Sequence, residues 1–108
     1  ANTFKLKTKA NVGVTTVGIY TAPAATTTVV IGITMSNTSG SGVNVGVGIT
    51  RAGTTEDVKL LKNAPIPQGS SLEFMAGNKI VLETTDTITV DSDTNNSIDA
   101  ALTIMEIT

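Results

Sequence analysis

The chain has 108 residues, with no histidine, cysteine or tryptophan and a formal net charge of −2 at pH 7. Without His and Cys it lacks the commonest general base, the commonest metal ligands and the best nucleophile, which argues against an enzyme. The acidic balance disfavours nucleic-acid binding, which needs a broad basic surface, and no apolar run is long enough to span a bilayer as a helix.

Charged residues make up only 15% of the chain, while hydrophobic residues make up 40%. An average soluble domain has about 25% charged residues. Two interpretations remain open at this point. Either part of the apolar surface is covered by another chain, or the many Thr and Gly residues keep the surface soluble.

The first predicted strand, Thr3–Lys9, has one charged face. Phe4 and Leu6 lie on one side, with Phe4 in phase with core positions. The lysines on the other side are Lys5, Lys7 and Lys9. Lysine on a strand is typical of a sheet edge, where it resists unwanted pairing. The lysine face is either solvated or docks on an acidic neighbour.

Apolar and polar residues alternate at a period of two along the rest of the chain, which predicts further strands. In chain order these are Val14–Tyr20, Thr28–Asn37, Val43–Arg51, Val58–Lys62, Ser71–Met75, Lys79–Leu82, Thr87–Val90 and Ile98–Ile107. Within the fourth of the nine, Gly46 and Gly48 leave one face almost without bulk. Glycine inside a strand often marks the close approach of another backbone, so both residues are interface candidates.

Nine short strands separated by turn residues predict an all-β fold. We expect one antiparallel β-sandwich, jelly-roll-like, formed by residues 1–108 as a single domain. The in-phase strand positions predict a core of Val29, Ile31, Ile33, Val45, Val47, Ile49, Leu72, Phe74, Ile88, Val90, Leu102 and Ile104.

One loop resembles the beginning of a calcium-binding loop. Asp91, Asp93 and Asn95 place oxygen atoms at alternate positions. The pattern then fails, because the sixth position is Asn96 instead of Gly and the twelfth is Leu102 instead of Glu. The same residues are good turn formers, so a hairpin turn is the favoured interpretation and no metal or cofactor is predicted.

Two pairs of carboxylates, Glu56 with Asp57 and Glu83 with Asp86, are spaced as general acid/base chemistry can use them. Neighbouring strand residues point to opposite faces, however, and nothing in the pattern predicts a shared cleft. We interpret them as solvated loop charges.

Five segments of the sequence resemble those of a known family. They are Thr3–Ala10, Tyr20–Ala24, Val30–Ile33 followed by Ser36–Thr38, Asn63–Leu72 and Ile98–Thr108. Together they resemble small virion structural proteins of tailed bacteriophages, including those that infect cyanobacteria. The chain departs from that pattern at Thr84-Thr85-Asp86, where Ala-Gly-Asp is usual, and at Glu56-Asp57, where aromatic residues are expected.

The resemblance implies a particle component present in many copies. We expect a capsid decoration or cement protein that binds the outer surface of a phage head as a homo-oligomer, in a virion assembled in the host cytoplasm. Its partners would be the major capsid protein or other virion proteins, with no nucleic acid and no membrane. A tail, baseplate or fibre-associated module is the alternative. A carbohydrate-binding module, from another class, would need exposed aromatic residues, and the chain has three aromatics in all: Phe4, Tyr20 and Phe74.

Overall fold

The computed structural model describes residues 2–74 and 79–108, which form nine strands. These are β1 (Asn2–Val12), β2 (Val17–Thr21), β3 (Thr27–Asn37), β4 (Val43–Arg51), β5 (Glu56–Ile66), β6 (Ser71–Phe74), β7 (Ile80–Leu82), β8 (Asp86–Ser92) and β9 (Ile98–Ile107). The described ranges contain no helix, and hence none that is long and apolar enough to cross a membrane. The predicted strand end at Met75 and the turn at residues 76–78 lie outside the described residues.

The strands form two antiparallel sheets. The first has the order β1-β9-β3-β6, with β7 also paired to β3, and the second has the order β2-β8-β4-β5. Because β6 and β7 share one side of β3, the two sheets present four strand positions each. This is the strand order of a jelly roll, in which two Greek keys are folded into two packed sheets. The predicted antiparallel β-sandwich of jelly-roll type is therefore confirmed.

The core lies between the sheets and is built from alternate residues of each strand. Eight predicted core residues are buried as expected: Ile33, Val45, Val47, Ile49, Ile88, Val90, Leu102 and Ile104. Leu72 and Phe74 are half-buried and pack against this core.

The prediction was wrong for Val29 and Ile31, which are half-buried on the outer face of the first sheet. The cause is a β-bulge in β3, where the pairing with β9 shifts between Val30 and Gly32. One extra residue reverses the facing of everything beyond it. Inward positions are therefore Thr28 and Val30 before the bulge and Ile33 after it.

The facing of β1 was also mispredicted. Phe4 and Leu6 are exposed by 69% and 65% and lie on the outer face, opposite Met105 and Thr103 of β9. The lysines point to the inner side instead, with Lys5 opposite Ile104. This is possible because β1 is the last strand of its sheet, as its lysines predicted. At an edge, a long side chain can cover apolar surface with its stem and still keep its charge in water.

Candidate functional site

The most unusual surface of the molecule is an apolar row across the outer face of the first sheet. Phe4 lies opposite Met105, Met105 opposite Val29, and Val29 opposite Val81. Directly opposed residues of an antiparallel pair share a face, so these four side chains form one line over β1, β9, β3 and β7. Phe4 and Val81, at its two ends, are exposed by 69% and 55%. We call these four residues the apolar row.

Further apolar side chains flank the apolar row. Leu6 lies two residues after Phe4 on β1, and Ile107, exposed by 38%, lies two residues after Met105 on β9. Beyond them, the same face becomes polar, with Thr34 opposite Ala101 and Glu73. The apolar surface is thus concentrated at one end of the sheet.

The edge formed by β1 and β2 carries a hydrogen-bonded network. Lys5 Nζ contacts Glu106 Oε1 at 2.9 Å, and the Tyr20 hydroxyl donates to Glu106 Oε2 at 2.5 Å. Thr28 Oγ1 lies 2.8 Å from the same hydroxyl. The Tyr20 hydroxyl has a single hydrogen, which it donates to Glu106, so Thr28 is the donor in the bond to Tyr20. Lys7 Nζ lies over the Tyr20 ring, 5.9 Å from its centroid.

The network shifts the acid–base behaviour of its members. Burial raises the pKa of Tyr20 to about 12, and the hydrogen bond to the Glu106 carboxylate adds to the rise. The Tyr20 hydroxyl and then Lys5 hold the pKa of Glu106 below its ordinary value. Glu106 is therefore a carboxylate at neutral pH, and the exposed Lys5 side chain is engaged in an ion pair within its own chain.

The opposite edge, formed by β5 and β7, contains a groove of about 420 Å³ between the two sheets. Its apolar lining consists of Ile49, Val58, Leu60, Ile80 and Val81. Val58 and Val81 at its lips are exposed by 40% and 55%. Apolar side chains of the interior reach the surface in this groove.

Charged side chains close one end of this groove. Arg51 Nε lies 3.2 Å from both carboxylate oxygens of Asp86, and Arg51 Nη2 lies 2.5 Å from Glu83 Oε1. The interpretation of Asp86 as a solvated loop charge was wrong, because it is buried and also accepts a hydrogen bond from the backbone N–H of Glu83. Glu56, opposite Arg51 on β5, and Asp57 are exposed as expected.

Gly46 and Gly48 are buried within the monomer. A Cβ on Gly46 would come within 2.5 Å of Asp91 Oδ1, and one on Gly48 would come within 2.8 Å of the Val58 carbonyl oxygen. The backbone that lies close to these two glycines is that of β5 in the same chain and not that of another chain. The face expected to be bare is therefore filled, and a role for these glycines between chains stays a prediction.

The loop that resembled a calcium site sends its side chains to separate partners. Asp91 accepts a hydrogen bond from Thr16 and lies 3.7 Å from Lys59 Nζ. Asp93 accepts from the Asn44 backbone N–H.

Asn95 of the same loop accepts from the backbone N–H of Val14. Among residues 2–74 and 79–108, no group of three or more His, Cys, Asp or Glu side chains could hold a metal ion. Each loop side chain thus fixes a backbone or side-chain neighbour, as a structural turn requires.

Sequence reasoning missed both the apolar row and the Tyr20 network. The row depends on cross-strand neighbours that are distant in sequence, and the bulge hides Val29 from a simple alternation. A signal for the network did exist, since Glu106 interrupts the inward series that ends with Leu102 and Ile104. A carboxylate at a core position needs a partner.

These features give the molecule surfaces for recognition: an exposed apolar row, a basic edge and an apolar groove with an acidic end. Burial of the apolar side chains by another surface would supply the driving force, and the charges would set orientation.

No family model matches the chain, and no curated protein sequence matches it. Solved structures do match. A protein of Bacillus endospore appendages, described as disulfide-linked pili, has a TM-score of 0.57 at 15% identity, over 100% of this chain and 87% of that chain.

Two viral structures match equally well. The infectious bursal disease virus VP2 subviral particle has a TM-score of 0.58 at 12% identity, over 97% of this chain and 32% of that chain. A chain of the cyanophage Pam1 capsid asymmetric unit has a TM-score of 0.55 at 12% identity, over 97% of this chain and 84% of that chain. This chain thus spans about a third of VP2 and most of the other two. At such identities the likeness shows that the fold is shared.

Proposed function

We propose that this chain is a non-enzymatic virion structural protein, a decoration or cement protein that binds the outer surface of a phage head. The apolar row is the observation that carries the proposal. Small soluble monomers rarely expose large contiguous apolar patches, and such patches mark surfaces that another protein covers. Phe4, Leu6 and Val81 are all more than half exposed on one face of one sheet.

Two further observations support a virion role. The fold is similar to that of a chain in the cyanophage capsid asymmetric unit, over 97% of this chain. Five segments of the sequence, among them Thr3–Ala10 and Ile98–Thr108, resemble segments of virion structural proteins of tailed phages. Neither line concerns chemistry at a catalytic centre, which agrees with a role in assembly.

Attachment would use the apolar row as the centre of the contact and lysines at its margin. An interface with an apolar centre and a polar rim is the usual arrangement. Lys7 and Lys9 would contribute from the adjoining β1 edge, because they point to the inner side of β1 while the apolar row lies on its outer side, and Lys5 is held by Glu106. The partner would be the major capsid protein, and each copy would reinforce the boundary between shell subunits. Modest contacts repeated over many copies give large total stabilisation.

Other functions have less support. A carbohydrate-binding module would need a platform of several aromatic residues, yet of the three in the chain only Phe4 is exposed, while Tyr20 is buried and Phe74 is half-buried. The disulfide linkage that names the appendage pili is not open to these 108 residues, which contain no cysteine. A tail, baseplate or fibre module would use the same surface, and the position of the protein on the particle distinguishes it.

The proposal is tested by adding purified protein to phage heads that lack it. Wild-type protein should bind in fixed stoichiometry, raise the temperature at which the heads release DNA, and appear on the head surface in averaged images. Met105→Lys places a charge in the middle of the apolar row and should lower occupancy at least about tenfold. Thr50→Lys, which adds the same charge on the exposed outer face of the other sheet, is the matched control.

Equal occupancy for Met105→Lys and Thr50→Lys would exclude the apolar row from the contact. Density for the protein on the tail alone would contradict the decoration role and favour the tail alternative.

A further inference from the structure

The apolar row runs the full width of the first sheet and is exposed at both edges. Phe4 marks one end, on edge strand β1, and Val81 marks the other, on β7. Edge strands present backbone N–H and C=O groups that can pair with another strand. The same molecule therefore carries an apolar, pairing-competent edge on each of two opposite sides.

The two edges have different chemistry. The β1 edge combines exposed Phe4 and Leu6 on the outer side with lysines on the inner side. The β5–β7 edge combines Val81 on the outer side with the apolar groove on the inner side, which ends at Glu83 and Asp86. Long lysine stems suit an apolar groove, and their ammonium groups suit an acidic end.

Charge disfavours pairing of like edges. Two β1 strands paired antiparallel around Lys7 would place Lys5 opposite Lys9 and Lys7 opposite Lys7. Like charges directly opposite each other destabilise a strand pair. An interface of unlike edges avoids this repulsion.

The acidic charge on the second edge is local. The groove lining carries Arg51, Glu83 and Asp86, and Glu56 and Asp57 lie nearby at the start of β5. Three exposed lysines also belong to this side, Lys59 and Lys62 on β5 and Lys79 just before β7, so the excess of acidic charge is confined to the end of the groove. The groove end therefore sums to a net negative charge, opposite to that of β1.

We propose that copies of this chain associate head to tail, the β1 edge of one copy packing on the β5–β7 edge of the next. Phe4 of one copy meets Val81 of its neighbour, so the apolar rows of successive copies join into one. Such a heterologous contact closes into a ring or continues as a filament, according to the rotation between copies. It operates between copies in solution, and so it stands or falls independently of any virion role.

The first test measures self-association of the whole chain by sedimentation velocity over a range of concentrations. Wild-type protein should form species larger than the 11.0 kDa monomer. Phe4→Ser and Val81→Ser should each raise the dissociation constant by roughly tenfold or more, as expected when an apolar anchor is truncated. Both side chains are largely exposed, so the variants should keep the wild-type melting temperature.

Val14→Ser provides a matched control. Val14 is exposed by 56%, close to the 55% of Val81, but lies between β1 and β2 away from the apolar row. It should associate like wild type. A monomeric wild-type protein at all concentrations, or equal weakening by all three variants, would overturn the proposal.

The second test identifies which edges meet. Because the chain has no cysteine, single-cysteine variants report one contact each. A mixture of Phe4→Cys and Val81→Cys should form the mixed disulfide-linked dimer under mild oxidation, and each variant alone should give at least about fivefold less dimer at equal total concentration. Dimer formed chiefly by Phe4→Cys alone would show that like edges pair, which contradicts the proposal. A mixture containing Thr50→Cys in place of Val81→Cys sets the level of random collision.

Discussion

At the scale of single residues, the Tyr20 hydroxyl links the two sheets at the edge formed by β1 and β2. It joins Thr28 of β3 to Glu106 of β9, and Glu106 in turn holds Lys5 of β1. Tyr20 itself belongs to the second sheet. Its hydroxyl is thus a polar link between sheets that otherwise meet through apolar side chains.

We expect Tyr20→Phe to lower the free energy of unfolding by about 1–3 kcal/mol, since one change removes two hydrogen bonds and leaves Thr28 buried without its acceptor. Urea titration at neutral pH measures this. Thr21→Val, which removes an exposed hydroxyl bonded to Thr87, is the comparison and should cost clearly less. Equal losses would show that the buried network contributes nothing special.

The same network predicts how stability depends on pH. Tyr20 has a folded-state pKa of about 12, raised from an ordinary value of 10.0. Its contribution is fully present below pH 10 and is lost as the pH rises towards 12. Glu106 has a lowered pKa, so its contribution is present above its ordinary value of 4.5 and is lost as the pH falls through the lower folded-state value.

Unfolding followed from neutral to alkaline pH should therefore show a steeper loss of stability in wild type than in Tyr20→Phe, because the variant has no phenol to titrate there. In acid, Glu106→Gln should flatten the decline in the same way. Parallel curves for wild type and Tyr20→Phe above pH 10 would contradict the role assigned to Tyr20.

Gly48 offers a second prediction at this scale. A methyl group there would meet the Val58 carbonyl oxygen at 2.8 Å, and backbone is hard to displace. We expect Gly48→Ala to cost about 1–3 kcal/mol by overpacking. Gly32→Ala is the matched control, because a Cβ at Gly32 has nothing within 4 Å. Thermal or chemical unfolding should separate the two, and a destabilisation by Gly32→Ala as large as that by Gly48→Ala would refute the steric argument.

At the scale of the strand, the bulge in β3 decides which side chains reach the core. Ile33 is fully buried, whereas Ile31 is half-buried on the outer face. We expect Ile33→Ala to cost about 2–5 kcal/mol through lost transfer energy and cavity formation. Ile31→Ala should cost less than about 1.5 kcal/mol. Chemical denaturation of the two variants compares them directly, and the reverse order of cost would place the bulge elsewhere.

Strand existence followed from the sequence because alternation and β-branched residues act locally. The facing of strands followed where a strand keeps a regular pairing with a central neighbour, as β4 does with β8, and Val45, Val47 and Ile49 are all buried as predicted. The predicted facing of β3 was wrong because no local sequence feature indicates the extra residue of the β-bulge between Val30 and Gly32. The predicted facing of β1 was wrong because alternation does not show which side of an edge strand is buried, and Phe4 and Leu6 lie on the exposed side.

At the scale of the whole molecule, topology brings together what the sequence separates. The first and last strands are neighbours, with Asn2 opposite Ile107. The pairing of β1 with β9 makes Lys5 and Glu106 partners, and the pairing of β7 with β3 completes the apolar row. Composition left open whether some apolar surface is covered by another chain or whether Thr and Gly keep the surface soluble. The position of the apolar row could not be predicted, since it depends on register across four strands.

The insertion of β9 between β1 and β3 also governs how the chain can be made. Until this strand has been synthesised and has left the ribosome, β1 and β3 have no common neighbour and the first sheet cannot close. Domains made of such distant pairings fold in milliseconds to seconds, slowly for their size. Until then, valine- and isoleucine-rich segments of the growing chain stay exposed to water. The lysines of the first strand reduce the risk that the unfinished chain aggregates.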